Sequence, residues 1–266
     1  MYHTKQDYAS DLTDEQWQII APLLLQKQQG RGRPIRLDMR QVANAIFYVV
    51  RTGCQWKYLP KGFPNHNSVY YHYRKWCRTD TWRRINTALR KMDRRQRGRT
   101  EDPTAGVIDT QSVKTTEAGG ERGYDANKKI KGRKRHIVVD TLGNLLEVIV
   151  HAANVQDYDG AKMVLPKLMA SLTSLQRIWA DSIYKYAGLV EWVRKTLNIA
   201  LEVVGRPYGQ KGFQVLPRRW VVERTFSWLG RYRRLSKDYE HCTKSSEGVI
   251  YIASIDTMLN RVTSHG

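Results

Sequence analysis

At Gly106 the hydrophobic repeat of the chain changes, and that change limits the fold more than any other feature. Before it, apolar residues recur at helical spacing behind recognisable helix starts; after it, they fall in short runs that read as strands. Thr13-Asp14-Glu15-Gln16 is a capping box with Leu12 placed to staple onto Trp17, so a first helix is expected from Thr13 to Gln26, burying Trp17, Ile20, Ala21 and Leu24. Asp38-Met39-Arg40-Gln41 opens a second helix, with Val42, Ala45, Ile46 and Val49 inward and Gly53 as its stop. A third is expected from Asn67 to Arg78, with Val69, Tyr73 and Trp76 inward, and a fourth from Asp80 to Arg94, packing Trp82, Ile85 and Leu89.

Charge gives this helical front end a partner. The 266 residues carry a net charge of +20, with a pI near 10.0, and a surface so basic calls for a polyanion, nucleic acid first. Residues 1–100 hold 20 Lys and Arg against 7 Asp and Glu, a denser cationic balance than in the remainder. On the third helix Tyr71, Arg74, Lys75 and Arg78 share the face opposite the apolar one, where a recognition helix would meet duplex DNA. Arg31 and Arg33, in the glycine-spaced segment Gly30–Pro34, suit either a minor-groove arm or a polar loop. These features predict a helix-turn-helix-like DNA-binding domain over residues 1–95 and a basic linker over 96–105. The polar segment Met1 to Asp14 has no signal-like character and no apolar run approaches twenty residues, so a soluble, cytoplasmic, nucleoid-associated protein without a membrane partner is expected. Three cysteines without CxxC or Cys/His spacing indicate neither a disulfide framework nor a zinc site.

From 106 to 266 a mixed-sheet α/β catalytic domain is expected. Strands are predicted over 107–113, 135–140, 145–150, 178–180 and 201–204, with a hairpin turn at Asp140–Asn144. Helices are predicted over 159–172 and 187–197, around Glu223, and over 246–262, the last amphipathic through Val249, Ile252, Ala253 and Leu259. Asp157 and Asp159 are expected to cap the first of these, and His136 to be a structural strand residue. The run Lys128, Lys129, Lys131, Arg133, Lys134 and Arg135 is expected as a loop that grips phosphates.

Three acids stand apart. In Arg218–Leu229, Val222, Phe226 and Leu229 form a buried stripe while Arg219, Glu223 and Ser227 line an adjacent face. By themselves Arg219 and Glu223 would be a surface ion pair worth about 0.3–0.5 kcal/mol. Val107-Ile108-Asp109-Thr110 and Ile178-Trp179-Ala180-Asp181-Ser182, however, each place an Asp at the end of an apolar run. Carboxylates arriving from two strands and a helix are the donor set of a divalent-metal phosphoryl-transfer site.

The stretches Val107–Lys114, Lys131–His136, Trp179-Ala180-Asp181 and Glu223–Leu235 resemble the ribonuclease H-like core of Asp-Asp-Glu transposases. With Gly32-Arg33-Pro34, Arg51–Trp56 and Leu59-Pro60 in the front half, the chain resembles a bacterial insertion-sequence transposase of the fifth insertion-sequence family. The wider clan spaces Tyr, Arg, Glu and Lys on the last helix; here Arg219 and Glu223 fit, Leu216 replaces the Tyr and Gly230 the Lys, with Arg231 one residue on. The resemblance implies binding to the element's terminal inverted repeats, cleavage at its ends and joining of 3′-hydroxyl ends to target DNA, by a homodimer or higher oligomer. It also implies that Asp109, Asp181 and Glu223 hold two Mg²⁺ ions about 3.5–4 Å apart, with Mn²⁺ as a substitute. Two other classes fit less well: a ribonuclease H-like nuclease would not require a duplex-reading domain, and an inactive DNA-binding regulator gives no reason for three converging acids.

Overall fold

The computed structural model describes residues 8–25, 37–204 and 219–264. Four helices come first: α1 (Asp14–Leu24), α2 (Met39–Thr52), α3 (His66–Arg78) and α4 (Thr81–Gln96). Their starts follow local chemistry. Thr13 and Gln16 form the reciprocal capping box of α1, and the Asp38 carboxylate accepts the Arg40 and Gln41 amides at the start of α2. Gly53 ends α2 at φ 73°, a left-handed conformation that its missing Cβ makes inexpensive.

The sheet follows, built of β1 (Ala105–Lys114), β2 (Gly123–Asp125), β3 (Ile130–Asp140), β4 (Leu145–Ala152), β5 (Arg177–Ala180) and β6 (Ala200–Val203). β3 runs antiparallel to β1 along its length and pairs on its other side with β2 and β4, while β5 lies parallel to β1 and β6 parallel to β5. The interleaved helices are α5 (Asp157–Met169), α6 (Leu189–Leu197), α7 (Trp220–Leu229) and α8 (Thr243–Thr263). Side chains alternate across the sheet, as the strand period requires. Val107, Ile137 and Val139 join a core shared with α1–α4, α7 and α8, whereas Ile108 and Val138 join a second core under α5 and α6. The result is a helical region followed by a mixed-sheet α/β unit with helices on both faces, the ribonuclease H-like arrangement that the resemblance implied.

Three local expectations are corrected. Residues 130–135 are strand rather than loop, and β2 forms a hairpin ahead of them. α8 is not amphipathic: Val249, Ile250, Tyr251, Ile252, Ala253 and Ile255 are all buried, because the helix lies between the sheet and α1–α4. α5 is capped at Gln156 without a side-chain hydrogen bond, and Asp157 instead receives the Lys134 ammonium at 2.7 Å. Residues following α4 are tied down, with Arg90 donating to the Glu101 carbonyl and pairing with Asp102, and Arg94 donating to the Thr100 carbonyl. α1 ends at Leu24 with Leu25 as its cap, short of the expected Gln26, which itself lies outside the described residues.

Candidate active site

The register of the sheet brings two of the three acids near each other. Val107 of β1 pairs with Trp179 of β5, the last pair of that parallel ladder, so Asp109 lies two residues further along β1 and Asp181 two residues beyond Trp179, just past the end of β5, near enough for the Asp181 charge to act on Asp109. β5 ends at Ala180, so the Asp181 carboxylate turns to cap the 3₁₀ turn Ser182–Lys185, accepting the Ile183 amide at 3.0 Å. Asp109 is half-buried in β1, and its Oδ1 accepts the Thr110 amide at 2.7 Å. Burial pushes the Asp109 carboxyl up to about 6; the negative charge of Asp181 adds to the rise, and the Thr110 amide, Arg219 and Lys128 oppose it.

Glu223 stands on the exposed side of α7 and is tied to the pair through Arg219, whose Nη2 is 3.4 Å from Glu223 Oε1 and 4.0 Å from Asp181 Oδ2. One guanidinium thus bridges the helix acid and the strand-end acid. Among the described residues no three His, Cys, Asp or Glu side chains are gathered closely enough to hold a metal ion, and Glu223 in particular is drawn to Arg219. The donor chemistry nevertheless suits a hard divalent cation, since all three groups offer carboxylate oxygen.

The basic run divides at Gly132. Lys128, Lys129 and Lys131 are exposed on the β2–β3 hairpin, with Lys129 left-handed at φ 53°. Lys128 reaches back to the site, its Nζ donating to the Thr110 carbonyl at 3.4 Å. Asp125 holds this turn, accepting the Asn127 and Lys128 amides and the Ser112 hydroxyl. Arg133, Lys134 and Arg135 are buried and turned to the interior, which corrects the expectation that they grip phosphates. Arg133 donates to the Glu121, Glu240 and His241 carbonyls and pairs with Asp238; Arg135 donates to the Leu235 and Lys237 carbonyls; Lys134 pairs with Asp157 and Asp125.

On α3, Tyr71, Arg74 and Arg78 are exposed and Lys75 partly so, with the Arg74 guanidinium 5.9 Å from the Tyr70 ring. Arg231 is exposed just past α7. Arg31, Arg33 and Leu216 lie outside the described residues. One stack escaped the sequence reading. Arg224 lies between the rings of Trp220 and Trp228, 4.5 and 4.6 Å from their centroids, an i, i+4, i+8 ladder beside Glu223 that the spacing of the three residues signals. No helix among the described residues is long and apolar enough to cross a membrane.

A mixed sheet of this order, with helices on both faces, is the arrangement of a ribonuclease H-like protein, and it carries Asp109 on β1, Asp181 just past β5 and Glu223 on α7. The family model described as "Transposase DDE domain" matches residues 100–253, and that described as "Putative transposase of IS4/5 family" matches residues 12–86. The first match spans more than half of the chain, which belongs to the DDE transposase family. No curated protein matches the chain.

Proposed function

We propose that this DNA transposase binds the terminal inverted repeats of an insertion sequence, cleaves at the element ends and joins the 3′-hydroxyl ends to target DNA. The observation that supports the reading is the placement of Asp181, just past the end of β5, near enough to Asp109 on the neighbouring β1 for its charge to raise the Asp109 carboxyl, with Arg219 reaching from Asp181 to Glu223. Burial first, and the nearby charge of Asp181 after it, make the ionised form of Asp109 costly unless a cation meets it, and the raised carboxyl expresses that cost. Asp109, Asp181 and Glu223 would hold Mg²⁺, or Mn²⁺ in its place, and divalent ions when bound activate an attacking oxygen and stabilise a leaving one.

The remaining roles belong to side chains of this chain. Arg219 neutralises the acids while the site is empty of DNA and can transfer its guanidinium to a phosphate, freeing Glu223 to turn inward. Lys128, beside Thr110, would steady the phosphate presented to Asp109, with Lys129, Lys131 and Arg231 gripping the flanking backbone. Tyr71, Arg74, Lys75 and Arg78 of α3 would read the duplex, and Arg31 and Arg33 would reach its minor groove. Residues 1–95 and 106–266 would thereby divide recognition from chemistry, joined through 96–105. A homodimer or higher oligomer on DNA would bring two ends together.

The test is incubation of the full chain with candidate end DNA and Mg²⁺. Strand cleavage that disappears in EDTA and returns with Mn²⁺ is expected; cleavage indifferent to EDTA would overturn the metal reading. DNA binding without cleavage in either metal would favour a regulator.

A further inference from the structure

The turn that carries Asp181 rests on a buried chain of polar groups to which the reaction described above gives no role. Tyr184, three residues beyond Asp181, is fully buried, and its hydroxyl lies 3.0 Å from Nε2 of His136 on β3. His136 is itself fully buried, and its other ring nitrogen, Nδ1, has no hydrogen-bond partner among the described residues. His151, on β4, faces it with ring centroids 5.9 Å apart, and His151 Nε2 likewise has no partner. Both of these nitrogens converge on Gly160 of α5: a Cβ there would collide with His136 Nδ1 and come within 2.7 Å of His151 Nε2. A glycine at this place in a helix sacrifices intrinsic helix stability, and here it makes room for two imidazoles to approach.

Proton positions follow from the one partner that cannot donate. His151 Nδ1 lies 3.0 Å from the Ala152 carbonyl, which only accepts, so His151 carries its proton on Nδ1 and offers a lone pair at Nε2. No direct hydrogen bond joins the two rings, but one water between them would satisfy that lone pair if the His136 proton sits on Nδ1 and is donated to the water. Nε2 of His136 is then the acceptor, and the Tyr184 hydroxyl must donate to it. With that water in place every proton points one way, from Tyr184 to His136, from His136 to the water, from the water to His151 and from His151 to the Ala152 carbonyl. Burial lowers the affinity of both imidazoles for a second proton, in keeping with two neutral rings.

We infer that the Tyr184–His136 hydrogen bond, extended to His151 through one bridging water, forms a buried relay that fixes the turn after β5, which makes Tyr184 and His136 positioning residues for Asp181. The relay draws the phenol proton away from the aspartates, so the hydroxyl does not cap a carboxylate needed for the reaction. Fixing the turn holds Asp181 near Asp109. This inference rests on the reading of Asp181 as an active-site acid.

The experiment uses the full chain with end DNA in single-turnover cleavage, binding measured separately in EDTA, and ¹⁵N NMR of histidine-labelled protein to read the ring tautomers. Tyr184→Phe and His136→Leu are expected to slow cleavage by about 10- to 100-fold, the scale of a small misplacement in a site, with DNA affinity unchanged. His136→Gln, which restores a polar atom near Nε2, is expected to recover most of the rate. The wild-type spectrum is expected to show both rings neutral and protonated on Nδ1. Cleavage by Tyr184→Phe at the wild-type rate, or a His136 ring protonated on Nε2, would overturn the relay. Wild-type protein that cleaves no end DNA would instead overturn the reading of the site, and the tautomers still decide whether the relay exists.

Discussion

Replacing Asp109 by Asn should stabilise the metal-free protein at pH 8 while abolishing cleavage. The carboxyl is pushed from its ordinary 3.8 up to about 6 in the fold. A raised carboxyl favours folding when protonated, so the stability tied to it is complete below about pH 4 and is lost as pH rises through about 6. At about 1.4 kcal/mol per unit, the charged form costs up to ~3 kcal/mol at pH 8, an upper bound because Asp109 is only half-buried. Asn keeps an oxygen for the Thr110 amide and carries no charge, so it removes most of this cost. Urea unfolding in EDTA at pH 4 and pH 8 is the assay: the variant should match wild type at pH 4 and exceed it by roughly 1–3 kcal/mol at pH 8. A variant less stable than wild type at pH 8, or a gain of equal size at both pH values, would refute the electrostatic reasoning. Addition of Mg²⁺ should narrow the gap by stabilising wild type alone.

Other outcomes are expected elsewhere on the molecule. Arg74→Ala or Lys75→Ala in the full chain should weaken binding to end DNA by roughly 1–3 kcal/mol, more on the cognate sequence than on random duplex if the residue meets a base edge; titration of both duplexes separates the cases. Neutralising Lys128, Lys129 and Lys131 together should lower the magnitude of the log K against log[salt] slope by up to about 0.9 per lost phosphate contact. An unchanged slope would leave the hairpin as a solvated turn. Arg133→Leu, in contrast, should cost about 3–5 kcal/mol of stability by stranding Asp238, with no effect on the slope, as denaturation and the same salt titration would read.

Much of the fold is written in short-range signals. The capping box of α1, the Asp38 cap and Gly53 stop of α2 and the change of period at Gly106 locate α1, α2 and β1 because each is decided within a few residues. Asp109 and Asp181 were legible for the same reason, each at the end of an apolar run. What local chemistry cannot show is the company a side chain keeps across the fold. Arg133, Lys134 and Arg135 read as an exposed basic loop, yet the acceptors that bury Arg133 and Arg135 come from residues 235–241, about a hundred positions later. α8 shows the same limit. Its sequence presents an apolar stripe, but its far side is also covered because the chain returns to pack against α1–α4, placing the helical front end and the sheet around one core. The tether of Glu223 to Arg219 was visible as an i, i+4 pair; the reach of the same guanidinium to Asp181 needed the fold.

The most direct measurement is strand joining by the full chain, with end DNA, Mg²⁺ and a supercoiled plasmid, for wild type and for Asp109→Ala, Asp181→Ala and Glu223→Ala. The wild type should covalently join 3′-ends to the plasmid, and each variant should bind end DNA with wild-type affinity or tighter yet release no cleaved strand and join none. Cleavage at the wild-type rate by any one of the three variants would contradict that residue's assignment, and wild-type cleavage without joining would leave a nuclease in place of the transposition reaction.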